Sequence, residues 1–326
     1  MTNFKRVPHA FLWTLLLIVL TEFFVYSNRE SLVHDYWNKF VINEKVLAEA
    51  PGDYDYLILG NSIQKTGIRP ADVSDRLLSI GLAGAKPLAQ VALLKRYLRK
   101  HKPPKVIFLY VDPENQYDTM QVIARYFFDF TEFGTYASDL SRDERDAYVW
   151  KMFSTLDHRK VGLGQDRVAY GGPNAEFVRA LLANRGFMQS PFHDRILADD
   201  FYATHKTHRR IQPSITIEPR DRKYFDELMT VADQSGIRVV FLGMVVPEEL
   251  GAIFETNGFF KEYREYLAAL RARYPRVTLP GGETFGIANK YFGDFQHMND
   301  QGVEFYTRYF KEEVFAPTVA SAAAER

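Results

Sequence analysis

One serine and one Asp-x-x-His segment combine residue types that can carry out nucleophilic chemistry. Ser62 follows the apolar run Tyr54–Leu59, and Asp294 precedes His297 by three residues. A serine hydroxyl becomes a nucleophile when histidine takes its proton, and imidazole titrates close to neutral pH. A carboxylate nearby can hold the second ring nitrogen. Ser62 alone also fits a helix cap, and His297 alone fits an ordinary loop histidine, so the two segments favour catalysis only when taken together.

Alternating strands and helices must position these residues. The pattern predicts strands at 54–59, 78–82, 105–111, 237–243 and 277–279, and helices at 70–78, 87–100, 221–235, 259–274 and 299–315. This rhythm is typical of an α/β three-layer sandwich, in which a central parallel sheet has helices on both faces. Such sheets place their sites at the carboxyl ends of the strands. Ser62 lies directly after the first strand, and His297 lies just before the last helix.

The chain divides into five predicted segments. Residues 1–28 form the start and a transmembrane anchor, and 29–52 form an amphipathic connector. The α/β domain covers 53–315 and is interrupted at about 118–220 by a mainly helical insertion with weak periodicity. We expect substrate or partner specificity in this insertion, because variable connections carry binding. The small and polar residues of 316–326 predict a flexible tail.

Composition excludes several classes of function. Lys plus Arg and Asp plus Glu both number 41, so the formal net charge is zero and nucleic-acid binding is not expected. Cysteine is absent, which removes disulfides, thiolate metal sites and cysteine nucleophiles. No metal-ligand spacing or dinucleotide fingerprint stands out, so we predict neither a metal nor a cofactor. The basic cluster Lys206–Arg210 fits an anionic polymer, a lipid headgroup or simply a solvated loop.

The N-terminus carries the strongest compositional signal. Lys5 and Arg6 precede an apolar run at 9–26, and a spanning helix needs roughly 17–25 such residues. A cleaved signal peptide and a buried core helix are the alternatives. The run ends in bulky residues rather than a small-x-small site, which favours an uncleaved anchor. The positive-inside rule then places the N-terminus in the cytoplasm and everything after residue 28 outside.

The order of these blocks resembles that of the SGNH (GDSL-type) hydrolase superfamily. The resemblance covers about residues 53–116 and 222–314. It implies a flavodoxin-like parallel sheet and a catalytic triad of Ser62, His297 and Asp294. The family's Gly-Asp-Ser block reads Gly-Asn-Ser in this chain, because residue 61 is asparagine.

The resemblance also implies two donors to the oxyanion. One is the glycine after the second strand, which Gly84 matches best, with Gly81 as its rival. The other is an asparagine after the third strand, for which Asn115 is the candidate. The usual Gly-x-Asn-Asp is absent, so Asp112 is an alternative polar group at that strand end.

An anchor followed by such a domain is similar to the partner proteins of membrane-bound O-acyltransferases, including alginate-type acetylation proteins and the teichoic acid D-alanyl transfer protein. This implies acyl transfer to a cell-envelope polysaccharide or polymer, with a multi-pass acyltransferase as partner. It also implies a periplasmic or extracellular domain held at the inner membrane. A carbohydrate or lipid esterase, such as a deacetylase, is the close alternative. A catalytically inert envelope scaffold is the alternative from another class, and the altered blocks motivate it.

Overall fold

The protein is described here by a computed structural model. The structure describes residues 9–27, 47–48, 52–110, 120, 123–124, 127–128, 130–151, 175–205, 215 and 217–324. The chain forms two compact units. One comprises residues 1–42 and 120–178, and the other comprises 43–119 and 179–326. The predicted insertion at 118–220 is therefore divided between the units near residue 178, since its later part belongs to the α/β unit.

A parallel sheet forms the centre of the larger unit. Its strands are β1 (Tyr56–Leu59), β2 (Leu77–Ser79), β3 (Val106–Tyr110) and β4 (Arg238–Leu242), in the spatial order β2-β1-β3-β4. All of the pairings are parallel, with Leu57 opposite Ile107 and Leu109 opposite Phe241. The apolar runs that predicted these strands are buried almost throughout, as expected for a parallel sheet covered on both faces. The coarse α/β prediction is confirmed.

The fifth predicted strand is reduced to a single bridge. Thr278 pairs in parallel with Val240 of β4, and Phe241 N–H donates to the Thr278 carbonyl at 2.8 Å. The bridge places residue 278 beside β4, so the sheet continues on that side in a doubly wound order. In such folds the connections on either side of the point where the strand order reverses, which is between β1 and β3, run to opposite faces and leave a crevice there.

Helices cover the sheet on both faces. Phe108 of β3 contacts Phe310 and Phe315, whereas Phe241 of β4 contacts Phe225. Phe241 is paired with Leu109, the residue after Phe108, so the two rings point to opposite faces. The helices of this unit are α2 (Ser62–Gly67), α3 (Pro70–Val73), α4 (Pro87–Leu98), α8 (Phe201–Thr204), α9 (Pro219–Gln234), α10 (Glu248–Thr256), α11 (Phe259–Arg273) and α12 (Asp300–Tyr309). Helices α4 and α9 pack against each other.

A second, two-stranded sheet was not predicted. Strand β5 (Met244–Pro247) pairs in parallel with β6 (Thr284–Ile287). The chain passes from β4 to β5 through Gly243, where an added Cβ would lie 2.4 Å from the Gly282 carbonyl oxygen. The predicted fourth strand ends at Gly243, and nothing local in the apolar residues after this glycine marks a second sheet.

The C-terminal segment is helical, which differs from the predicted flexible tail. After α12, a π-helical turn (Phe310–Phe315) leads into α13 (Ala316–Ala324). Thr318 is buried, and Arg238 of β4 donates to the Ser321 hydroxyl at 3.2 Å. Alanine has the highest helix propensity, and these contacts attach the helix to the sheet.

The smaller unit contains α1 (His9–Ser27), α5 (Phe130–Tyr136), a 3-10 turn (Ala137–Asp139) and α6 (Arg142–Lys151); α7 (Ala175–Ala183) crosses the boundary between the units. Ser141 and Glu144 exchange hydrogen bonds at the start of α6, which is a capping box. Within the described residues, no helix combines the length and apolar character that crossing a membrane requires, so the predicted transmembrane helix is not found. The connector at 29–52 lies almost wholly outside the described residues.

Candidate active site

The turn after β1 presents Ser62 at the carboxyl edge of the sheet. The Asn61 side chain accepts a hydrogen bond from Ile63 N–H at 2.9 Å and caps α2, so that Ser62 is the first residue of this helix. Asparagine is a strong N-cap residue. Asn61 therefore has a clear local role in this turn.

The loop of residues 292–298, which we call the histidine loop, brings an acid and a base together. Phe292 and Met298 form an antiparallel bridge, and Gly293 N–H donates to the His297 carbonyl at 2.8 Å. Asp294 Oδ1 accepts hydrogen bonds from the backbone N–H groups of Gln296 and His297, at 2.8 and 2.6 Å. These bonds fix the carboxylate against its own loop, and they leave Oδ2 for the imidazole.

Ser62, His297 and Asp294 form a continuous hydrogen-bonded chain. His297 Nε2 lies 2.9 Å from Ser62 Oγ, and His297 Nδ1 lies 2.8 Å from Asp294 Oδ2. The side chains of His297 and Asp294 are 14% and 15% exposed, so the pair is shielded but reachable. The two segments are 235 residues apart in sequence. The structure brings together the three residues that the sequence predicted as a triad.

The electrostatics of the pair suit a general base. Burial by itself raises the pKa of Asp294, but the hydrogen bonds and charge of His297 and the N–H of Gln296 hold that pKa below its usual value. An ionised Asp294 accepts from Nδ1–H, which leaves Nε2 as an acceptor facing Ser62 Oγ. The arrangement can take the serine proton and stabilise the imidazolium that results.

The predicted oxyanion donors are only partly described. Gly84 lies in a turn after β2 with φ at +65°, next to the Ala85 N–H that donates to the Leu82 carbonyl at 2.9 Å. Leu82 N–H in turn donates to the Gly60 carbonyl at 3.1 Å, so this loop runs beside the nucleophile turn. Ser62 N–H is itself in the first turn of α2, where backbone donors have no acceptor inside the helix.

The remaining oxyanion candidates differ in status. Gly81, the rival of Gly84, packs against the nucleophile turn, since an added Cβ would lie 3.5 Å from the carbonyl oxygens of both Gly60 and Asn61. Asn115 and Asp112 lie outside the described residues, as does the basic cluster at 206–210. Their predicted roles stay predictions.

Residues 190–204 cover the histidine loop, and the sequence did not reveal this. The Phe192 ring stacks on the His297 ring with centroids 6.0 Å apart. Leu197 N–H donates to the Phe292 carbonyl at 2.7 Å, and the Tyr202 hydroxyl donates to the Phe295 carbonyl at 2.8 Å. These residues fall within the weakly periodic insertion, and nothing in the local pattern points from them to His297.

A buried lysine lies one helical turn after Ser62. Lys65 is fully buried in α2, and its Nζ donates to the Gly81 carbonyl at 3.4 Å. Desolvation by burial lowers the pKa of Lys65 to about 7. Its Nζ thus contacts the loop that follows β2.

Within the part of the chain that the structure describes, no group of three or more His, Asp or Glu side chains could hold a metal ion. In comparisons with known proteins, neither the models of protein families nor the curated proteins give a match to this chain.

Proposed function

We propose that this chain is a serine-dependent acyl-transfer enzyme that forms an acyl-enzyme on Ser62. One observation carries the proposal: His297 bridges Ser62 Oγ at 2.9 Å and Asp294 Oδ2 at 2.8 Å. Nucleophile, base and orienting acid are the groups that covalent acyl transfer needs, and the distances are those of direct proton transfer. The site lies at the carboxyl edge of a parallel sheet, where such folds place their ligands.

Acylation begins when Ser62 Oγ attacks the carbonyl carbon of an ester or thioester. The hydroxyl proton moves to His297 Nε2 as the new C–O bond forms, and Asp294 stabilises the imidazolium. The N–H groups of Ser62 and Gly84 are the proposed donors to the oxyanion, with Asn115 as a further candidate. When the tetrahedral intermediate collapses, the leaving alcohol or thiol takes the proton from Nε2.

Deacylation repeats these steps with a new acceptor. A water molecule or a sugar hydroxyl attacks the acyl carbon while Nε2 takes its proton. Ser62 Oγ then leaves and recovers that proton. Transfer and hydrolysis therefore share every protein group and differ only in the acceptor, so an esterase or deacetylase is the close alternative.

We infer the acceptor class from the resemblance to the SGNH superfamily. The order β2-β1-β3-β4, with Ser62 after β1 and His297 before α12, is consistent with that resemblance. The resemblance implies a cell-envelope polysaccharide or polymer as acceptor, a membrane-bound O-acyltransferase as partner and a site outside the cytoplasm. These remain predictions drawn from the sequence.

A fluorophosphonate probe tests the proposal directly. We expect it to label the full chain at Ser62 and Ser62→Ala to remove the label. His297→Ala is expected to slow labelling roughly 10⁴-fold, because an unassisted serine hydroxyl is a poor nucleophile. Intact-protein mass spectrometry measures both the site and the rate.

Ser138→Ala is the matched control, because Ser138 is an exposed serine whose hydroxyl lies near Asp139 at 3.4 Å rather than near a histidine. It should label at the unaltered rate. If a folded wild-type chain is not labelled, the inert scaffold is favoured and the proposed enzyme is wrong.

A further inference from the structure

Glu249 forms the centre of a second polar cluster away from the triad. Its Oε1 accepts a hydrogen bond from Ala203 N–H at 2.9 Å, and its Oε2 accepts one from Tyr202 N–H at 3.1 Å. Both carboxylate oxygens therefore hold the backbone of the short helix α8. A carboxylate that accepts two backbone N–H bonds gives a fixed geometry, because charge-assisted hydrogen bonds are strong and directional.

Asn289 joins this cluster to the start of the histidine loop. Its Nδ2 donates to Glu249 Oε2 at 3.1 Å and to the carbonyls of Ala198 and Asp199 at 3.4 and 3.3 Å. Asn289 is buried and begins the 3-10 turn Asn289–Tyr291, which leads directly into residue 292. We call Glu249, Asn289 and the backbone of 198–203 the Glu249 cluster.

Tyr202 extends from the Glu249 cluster to the tip of the histidine loop. Its side chain is 1% exposed, and its hydroxyl donates to the Phe295 carbonyl at 2.8 Å. Phe295 lies between Asp294 and Gln296, on the side of the loop away from the bridge that joins Phe292 to Met298. The loop is thus held at its base by its own hydrogen bonds and at its tip by Tyr202.

We propose that Tyr202 is a positioning residue for the Asp294–His297 pair and that Glu249 acts through it. The inference rests on the proposed function, since it assigns these residues to the same site. In this role Tyr202 acts through the backbone of the histidine loop, because its hydroxyl is bonded to the Phe295 carbonyl. It fixes the backbone between the acid and the base, and a displacement of about 1 Å in a catalytic group can cost roughly 100-fold in rate.

Tyr202→Phe removes only the hydroxyl and keeps the buried ring. We expect the acylation rate with a small activated ester to fall roughly ten-fold while KM is unchanged. Tyr309→Phe is the matched control, because the Tyr309 hydroxyl also donates to a backbone carbonyl, that of Gly281, outside the histidine loop. It should leave the acylation rate unaltered, whatever its effect on stability.

A spectroscopic signature separates positioning from a general loss of stability. The proton between His297 Nδ1 and Asp294 should give a far-downfield proton NMR signal, which Asp294→Asn identifies by its loss. In Tyr202→Phe we expect this signal to shift or broaden, and in Tyr309→Phe to remain. An unchanged signal together with an unchanged rate in Tyr202→Phe would overturn the proposal.

Glu249→Gln tests whether Glu249 acts through Tyr202, because it keeps the size of the side chain but replaces one acceptor oxygen with a donor. If it does, the double variant Tyr202→Phe and Glu249→Gln should be acylated no more slowly than the slower of the two single variants. Additive losses in rate would show that Glu249 acts separately and would overturn this part of the proposal. A wild-type chain that is not acylated would refute the proposed function, while the NMR signal would still test the positioning of the pair.

Discussion

At the scale of single residues, burial and hydrogen bonding set the pKa values of two groups, Asp294 and Lys65. Asp294 lies on an otherwise shielded loop, yet its pKa is kept low because three hydrogen bonds from the loop and the imidazole favour the carboxylate. Burial lowers the pKa of Lys65 to about 7, which disfavours its charged form. Hydrogen bonds thus favour the charged form of Asp294, whereas burial disfavours the charged form of Lys65.

We expect Lys65→Met to stabilise the protein at pH 6 and to lose that advantage as the pH rises. The folded pKa of Lys65, about 7, is below its ordinary value of 10.5. Below pH 7 Lys65 is protonated in both the folded and the unfolded chain, so burial of its charge lowers the free energy of unfolding by its full amount. Between the two values the unfolded chain binds more protons, so wild-type stability rises with pH.

Urea unfolding of Lys65→Met and wild type from pH 6 to 10.5 measures this difference. The maximal difference should be on the order of a few kcal/mol, since each pKa unit corresponds to about 1.4 kcal/mol. Lys261→Met, which replaces an exposed lysine of α11, is the control and should leave the pH dependence unaltered. A difference between Lys65→Met and wild type that does not vary with pH would contradict the interpretation.

At the scale of elements, the histidine loop depends on close backbone contact with the segment at 190–204. An added Cβ on Gly293 would lie 1.9 Å from the Phe192 carbonyl oxygen. A backbone atom cannot move aside as a flexible side chain can. The loop and the segment therefore pack at a distance that only glycine allows.

Gly293→Ala is expected to separate these two segments. We expect a stability loss of roughly 1–3 kcal/mol, as for other overpacked sites, and a larger fractional loss in the rate of Ser62 labelling, because Phe192 packs on His297. Gly134→Ala in α5 is the control. Apart from the backbone of its own helix, none of the described residues has an atom within 4 Å of its added Cβ, so the change should be neutral or slightly stabilising. Equal labelling rates in Gly293→Ala and wild type would show that the close contact does not support the site.

The sequence predicted the elements whose signals are local. Apolar runs marked the four strands of the central sheet. In the predicted triad, whose residues follow β1 and precede α12, His297 lies within hydrogen-bond distance of both Ser62 and Asp294. What the sequence missed depends on contacts distant in sequence. The approach of Gly243 to Gly282, which creates the second sheet, and the contact of Tyr202 with Phe295 have no period that a local pattern could show.

At the scale of the whole molecule, the triad and its supports belong to one unit. Ser62, His297, Asp294, Tyr202 and Glu249 all lie in the unit of residues 43–119 and 179–326. Helix α1 belongs to the other unit, and its large apolar side chains from Phe11 to Phe24 are exposed. Ser62, Asp294 and His297 therefore belong to a different unit from the N-terminal helix.

We expect a chain of residues 30–326 to be labelled at Ser62 at the rate of the full chain. The reason is that the hydrogen bonds of His297 to Ser62 and Asp294, and the bond of Tyr202 to the loop tip, all join residues of the larger unit. Labelling kinetics on both chains provide the measurement, with Ser62→Ala in the shorter chain as the control. A folded but unreactive shorter chain would show that residues before 30 support the site.

The same pair of chains tests the predicted membrane location. This prediction rests on the sequence alone, on Lys5, Arg6 and the apolar run at 9–26, since no described helix has the character of a membrane span. We expect the full chain to sediment with membranes and the shorter chain to remain in the supernatant. We also expect acyl transfer to an envelope polymer in cells to require residues 1–28, whereas reaction with a small ester does not. If the shorter chain restores polymer acylation in cells, the proposed membrane partner is contradicted, because that chain lacks the segment that would hold it at the bilayer. This result would not contradict the proposed chemistry at Ser62.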